Sequence, residues 1–290
     1  MTLTRRAAVT GASALAFSGH AARAADWDQN WDQNWDKSGA KDPFRWHGRL
    51  CQGGFIIGQG APGEPVSLDG AQISQAGPKG LFFIGFDRDQ GPTATVETSQ
   101  GRQVFAVQPV AYAVQRIDGL PPEQVTPQNP ALLARIQRES EMKAKAFASR
   151  IDSEDFASGF SPPLTKALRT SAFGPQRILN GVPKTPHYGV DLAAPTGTRI
   201  TAPADGRVVL AETDLWFEGG LTLIDHGQGL VCAFLHQSRL DVREGDLVRR
   251  GQTLGAVGAK GRATGPHLCW RATWRGRHLD PSLLLKAGEV

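Results

Sequence analysis

Cysteine is scarce in this chain. Its three residues, Cys51, Cys232 and Cys269, cannot all pair, and so few exclude a fold built on disulfides. At least one thiol must stay free or bind metal, which leaves a Cys232–Cys269 pairing open. Runs long enough to cross a membrane are lacking too: the apolar stretch from Ala7 to Phe17 is too short to span as a helix. No basic run with interleaved aromatics occurs, and a net charge of +4 does not argue for a nucleic-acid partner. A helical His-Glu-x-x-His motif is absent, which excludes a metalloprotease of that helix type.

What is present is a soluble composition rich in turn formers. Hydrophobic residues make up 40% and charged residues 21%, as in globular proteins. Thirty-four glycines and nineteen prolines favour short strands over long helices. The 290 residues suffice for two domains.

In chain order, residues 1–24 have the form of a signal peptide: Arg5-Arg6, an apolar run, and Ala22-Arg23-Ala24 as cleavage site. The arginine pair leaves both the Tat and the Sec route open. Residues 25–40 repeat Trp-Asp-Gln-Asn from Trp27, a period too short for a solenoid, and are expected to form a linker. Residues 41–117 alternate short apolar runs (53–58, 65–70, 81–86, 94–98 and 103–107) with Asp-Gly and Pro-Gly turns, predicting a small β-sandwich. Residues 118–160 form a helical connector. Its helix is expected over 130–151, with an apolar stripe of Leu132, Leu133, Ile136, Ala146, Phe147 and Ile151. Residues 161–290 are again β-rich. The fold class is therefore mostly β, with a helix between two β domains.

Chemistry concentrates between His187 and Trp270. Pro186-His187-Tyr188-Gly189-Val190-Asp191 opens this stretch, Phe234-Leu235-His236 lies within it, and Gly265-Pro266-His267-Leu268-Cys269-Trp270 closes it. On a straight strand His187 and Asp191 would share a face roughly 13 Å apart, too far to hold one ion. The chain is therefore expected to bend between them, with Gly189 permitting the bend. His267 and Cys269 fall on one face of a strand, roughly 6–7 Å apart. Cys232, Phe234 and His236 are likewise expected to share a face. His226 reads as a turn residue, His278 as surface, and His47 with Cys51 as ordinary packing. The repeat Val242-Arg243-Glu244-Gly245-Asp246 through Gly251-Gln252 has the look of a lipoyl carrier, but no modifiable lysine on a hairpin tip accompanies it.

The order His-x-x-x-Asp, later His, then His-x-Cys resembles the lysostaphin-type (LytM-like) zinc metalloendopeptidases. Phe173-Gly174, Gly189-Val190-Asp191, Ala193 to Thr198, Asp225-His226-Gly227 and Gly251-Gln252 agree with that family as well. The resemblance covers about 160–290. It implies an all-β C-terminal domain built on a duplicated hybrid motif, an exported enzyme of the periplasm or cell exterior, and hydrolysis of peptide cross-links in peptidoglycan. The partners implied are peptidoglycan peptide stems and other cell-wall or division proteins, with no nucleic acid and no membrane span after signal cleavage. Carried over position by position, His187, Asp191 and Cys269 would hold Zn2+, and His236 and His267 would handle protons. Arg177 would line the groove. One position departs: Cys269 stands where the family has a third histidine ligand. Thiolate is an ordinary zinc ligand, but it donates more charge and should leave the bound water less acidic. The alternative implied is a catalytically degenerate domain that binds cell wall or regulates another wall hydrolase.

Overall fold

The computed structural model describes residues 42–285. The expected signal peptide and the Trp-Asp-Gln-Asn repeat lie outside the described residues. Strands β1 (Arg45–Arg49), β2 (Phe55–Gln59), β3 (Pro65–Leu68), β4 (Ala71–Gln75), β5 (Leu81–Gly85), β6 (Thr93–Thr98) and β7 (Gly101–Ala106) come first. They form two sheets, β1-β2-β5 and β4-β3-β6-β7, whose inner faces share Phe44, Phe82 and Phe105. Strand β8 (Val114–Ile117) leaves this module and is followed by helices α1 (Pro122–Val125) and α2 (Pro130–Phe147).

The remaining chain supplies β9 (Leu168–Ser171), β10 (Gln176–Leu179), β11 (Val182–Pro183), β12 (Val190–Ala193), β13 (Arg199–Thr201), β14 (Gly206–Leu215) and β15 (Gly219–Asp225). It continues through β16 (Leu230–Leu240), β17 (Leu247–Val248), β18 (Thr253–Val257), β19 (His267–Trp274) and β20 (Arg277–Leu279). The large sheet runs β17-β14-β15-β16-β19-β12-β9, with β18 and β20 joined to β16 and β19. β8 pairs in parallel with β10, so the chain arriving from the N-terminal module becomes part of the cleft wall.

Alternation along the central strands sorts their side chains onto two faces. Leu230, Cys232 and Phe234 of β16 and Leu268, Trp270, Ala272 and Trp274 of β19 enter a core shared with Phe55, Phe83 and Phe156. Val231, Ala233 and Leu235, with Cys269, enter a smaller cluster on the opposite face, covered by Ala146, Met142 and Phe147 of α2. Being covered on both sides explains why these strands are nearly continuous apolar runs rather than amphipathic ones.

The helix departs from expectation in how it docks. It stops at Phe147 rather than reaching Ile151, whose N–H donates to Asp225 Oδ2 at 3.2 Å. Leu133, expected in the apolar stripe, is exposed, whereas Glu139 is buried. Glu139 accepts from Arg135 Nε at 2.6 Å and from the Trp216 N–H at 2.9 Å. The connector is therefore held by a buried polar clamp as well as by its apolar end. No helix among the described residues is long and apolar enough to cross a membrane.

Candidate metal centre

Strand β12 carries Asp191 opposite Cys269 of β19 in antiparallel register. His187 precedes β12 on a bent segment, where its N–H donates to Pro175 O and its carbonyl accepts from the Gly174 N–H. The bend expected between His187 and Asp191 is present. Gly189 serves a different end from the expected one: a Cβ there would lie 2.7 Å from Trp270 O and 3.2 Å from Cys269 Sγ, so glycine is needed for close approach of β19.

The ligand-type atoms converge. His187 Nε2 lies 3.1 Å from Asp191 Oδ1 and 3.4 Å from Cys269 Sγ, and the three donor atoms all fall within 4.8 Å of one another. Ligands bound tetrahedrally to one zinc ion sit roughly 3.3–3.6 Å apart, by the usual Zn–N, Zn–O and Zn–S lengths. Asp191 Oδ1 is fully buried and accepts no hydrogen bond, even with His187 Nε2 so near. A buried carboxylate oxygen without a partner is costly, and a cation among these atoms satisfies it. The donor set thus fits a metal ion.

Each histidine of the cluster is oriented through its other ring nitrogen. Nδ1 of His187 meets Ser171 Oγ at 3.0 Å, His236 Nδ1 meets Lys260 O at 2.8 Å, and His267 Nδ1 meets Gly265 O at 2.8 Å. A backbone carbonyl can only accept, so His236 and His267 each donate from Nδ1, which leaves Nε2 as the ring nitrogen not engaged by the backbone. Their rings are 4.7 Å apart, and His267 Nε2 is 3.8 Å from Asp191 Oδ1.

His236 reaches this position by breaking the strand pattern. Its φ is +66°, and two residues of β16, Leu235 and His236, occupy the space between the partners of Thr222 and Gly220. This bulge turns His236 onto the face of Leu235 and Cys269. The expected common face of Cys232, Phe234 and His236 is therefore corrected: Cys232 and Phe234 face the other core. Cys232 and Cys269 also lie on opposite faces of the sheet, and all three cysteines are free thiols. That removes the Cys232–Cys269 pairing.

Electrostatics follow from burial and neighbours. Burial drives the His236 pKa down to about 3, helped by His267, so His236 is neutral near pH 7. Burial likewise lowers His187. For Asp191 burial alone would raise the pKa, but His187, His267 and Arg177 together hold it well below the usual carboxylate range. Arg177 Nη2 donates to Asp191 Oδ2 at 3.2 Å. Burial pushes the Cys269 thiol up to about 12, against the pull of Arg271, so metal uptake must displace its proton.

The comparisons with known proteins agree with this geometry. Residues 185–281 match the model of peptidase family M23. Over that third of its length the chain is similar to the M23 peptidases. Over 123 residues it is 36% identical to the peptidoglycan DD-endopeptidase ShyB of Vibrio cholerae, covering 41% of this chain and 28% of ShyB. Over 113 residues it is 40% identical to ShyA of the same organism, covering 38% and 26%. The chain thus spans little more than a quarter of the length of these curated relatives. The crystal structure of a candidate M23 peptidase from Pseudomonas aeruginosa superposes with TM-score 0.55 at 29% identity, covering 82% of this chain and 96% of that one. That likeness extends beyond the M23 segment into the N-terminal module.

The matched segment brings together His187, Asp191, His236, His267 and Cys269 at one cleft. His226 lies elsewhere, buried against Phe160 with Nδ1 on Asp205 O. His278 is half-buried rather than on the surface, stacked on Tyr188 with ring centroids 3.6 Å apart. Sequence reasoning missed Ser171 and Arg271. The alternation His267, Cys269, Arg271 along β19 was the signal that could have found the arginine.

Proposed function

We propose that this protein is an exported zinc metalloendopeptidase that hydrolyses peptide cross-links of bacterial peptidoglycan. The observation that carries this reading is the convergence of His187 Nε2, Asp191 Oδ1 and Cys269 Sγ within 4.8 Å, flanked by two histidines each held through Nδ1 by a backbone carbonyl. The names of ShyA and ShyB support the choice of substrate. Residues 161–290 are the catalytic unit in this reading. Residues 41–117 and the connector 118–160 frame its cleft, and residues 1–24 direct export to the periplasm or cell exterior.

His187, Asp191 and Cys269 would hold the ion. Zinc bound there supplies Lewis acidity to the scissile carbonyl and makes a water more acidic. His267 accepts the proton of the attacking water on Nε2 and returns it to the departing amine. The Asp191 carboxylate, 3.8 Å away, stabilises the imidazolium formed in between. His236 stays neutral and orients the water through its Nε2 lone pair. Arg177 fixes Asp191 in place through Oδ2, leaving Oδ1 for the cation.

The test pairs two measurements on the purified mature protein: metal content, and digestion of purified peptidoglycan sacculi. About one zinc per chain and conversion of cross-linked to uncross-linked peptide stems are expected. Zinc at full stoichiometry without any cleavage would assign the protein to the wall-binding, non-hydrolytic class instead.

A further inference from the structure

The cleft of about 500 Å³ beside the metal cluster carries more cationic than acidic side chains. Arg177, Lys184, Arg262 and Arg271 line it, against Asp191 and Glu218. Both acids are already engaged: Asp191 by Arg177, and Glu218 by Lys143 Nζ at 2.5 Å. Among the described residues no carboxylate forms an ion pair with Arg262 or Arg271. Arg262 rests over the Phe217 ring, 4.7 Å from its centroid, and donates from Nη1 to Gln124 O at 3.2 Å. Arg271 lays its stem over Gly189 and brings Nε to 3.5 Å from Cys269 Sγ.

Glu218 and Asp191 lie near enough to favour these charges, but neither forms an ion pair with Arg262 or Arg271, so the donors of two half-buried guanidinium groups stay incompletely matched. Burial, then Arg177 and Arg271, lower the Arg262 pKa, whereas Cys269, Glu218 and Asp191 hold Arg271 up. Covering the cleft with a neutral ligand would worsen that cost. A carboxylate would relieve it, because the planar guanidinium fork matches a carboxylate with two parallel hydrogen bonds. The position of Arg271 limits where that carboxylate sits. Nε is committed to Cys269 Sγ, so the Nη donors of the fork are those left for a ligand in the cleft that Arg271 lines.

We propose that Arg271, supported by Arg262, binds a carboxylate on the peptide residue next to the scissile bond. This rests on the hydrolase reading for the term scissile, but the subsite itself is a property of the cleft. Two sources share the chemistry: the free carboxylate at a peptide C-terminus, and a carboxylate carried by a side chain or branch beside the bond. The arginines then select acidic peptides and set which bond is presented to His267.

Three synthetic tetrapeptides of one backbone separate these cases. One has a free C-terminal carboxylate, one has an amidated terminus with a carboxylate side chain beside the target bond, and one has both groups amidated. Their binding is measured by calorimetry to the zinc-loaded and metal-free protein. One acidic peptide should bind roughly 10–100-fold more tightly than the fully amidated one, the scale of charge-assisted hydrogen bonds; its identity names the source. Arg271→Gln should erase that preference, and metal-free protein should retain it. Should Arg271→Gln not fold, Arg262→Gln decides, with at least a threefold loss of preference expected. Equal binding of all three peptides overturns the proposal. So does a preference that survives the arginine substitutions, or one that disappears with zinc while persisting in Arg271→Gln, since the metal would then be the carboxylate's partner. Sacculus digestion run in parallel keeps the readings apart: preference without cleavage removes the hydrolase, and cleavage without preference removes only the subsite.

Discussion

Cys269 and its neighbours make the sharpest demands at the scale of single residues. Imidazole and thiolate are both zinc ligands, so Cys269→His should keep the protein folded and metal-bound. Cys269→Ala leaves two ligands and should lower zinc occupancy sharply; full stoichiometry by metal analysis in the alanine variant would remove Cys269 from the ligand set. The two histidines proposed to handle protons should behave in the opposite way. His267→Ala and His236→Ala are expected to retain zinc while hydrolysis of sacculi falls by about 10²–10⁴-fold, the usual scale of general acid–base help. Metal loss in His267→Ala would mean that the roles within the His267-x-Cys269 pair are exchanged. The ligand-type residues were legible in the sequence because residue type and spacing together narrow the chemistry. Ser171, which holds His187 from 16 residues away, and Arg271, whose meaning depends on Gly189 beneath it, were not: their roles arise from contacts between strands.

Among the elements, β5 illustrates how the two β modules are joined. Its outer edge would offer unpaired backbone groups, a hazard that native sheets cover. Gln228, in the turn before β16, fills that edge: its Oε1 accepts from the Phe83 N–H at 3.1 Å and its Nε2 donates to Leu81 O at 2.8 Å. Glu154 Oε1 accepts from the N–H groups of Lys79 and Leu81. Gln228→Ala leaves a buried N–H without an acceptor and should cost about 1–3 kcal/mol, read as a lower urea midpoint at unchanged m-value. An unchanged midpoint would show that water replaces the amide without penalty. The apolar strands were predictable from pattern, whereas β1 and β4 were missed because Arg45–Arg49 and Ala71–Gln75 are polar and owe their strand form to their partners. The bulge at His236 was likewise invisible, since nothing in Phe234-Leu235-His236 announces a positive φ.

Taken as a whole, the molecule shares one large core across its modules. Phe55 and Phe83 of the N-terminal sheets pack in the same cluster as Trp270, Trp274 and Leu279, and Phe83 approaches the Trp274 ring at 6.1 Å between centroids. Thermal unfolding followed by calorimetry and by tryptophan fluorescence should therefore give one coincident transition. Two resolved transitions would mean that the shared core contributes little coupling. The two-part layout was readable from the change of pattern at the connector, but the cohesion of the parts was not, because apolar runs do not say which sheet they will face.

β8, lying in parallel against β10, has a consequence for what can be inherited or transplanted. The segment matched by the family model begins at residue 185, but the contacts that align it come from earlier in the chain. The cleft wall comes from β8, the clamp on Asp191 from Arg177 of β10, and the anchor on His187 from Ser171 of β9. A graft limited to the matched segment would carry the ligands and leave behind their alignment. Conversely, selection acting on the segment around Gln115 and Ile117 can reshape who enters the cleft while every ligand stays as it is. In this protein the cleft wall and the ligand-type residues lie in different stretches of the chain, and Arg177 of β10 links the two.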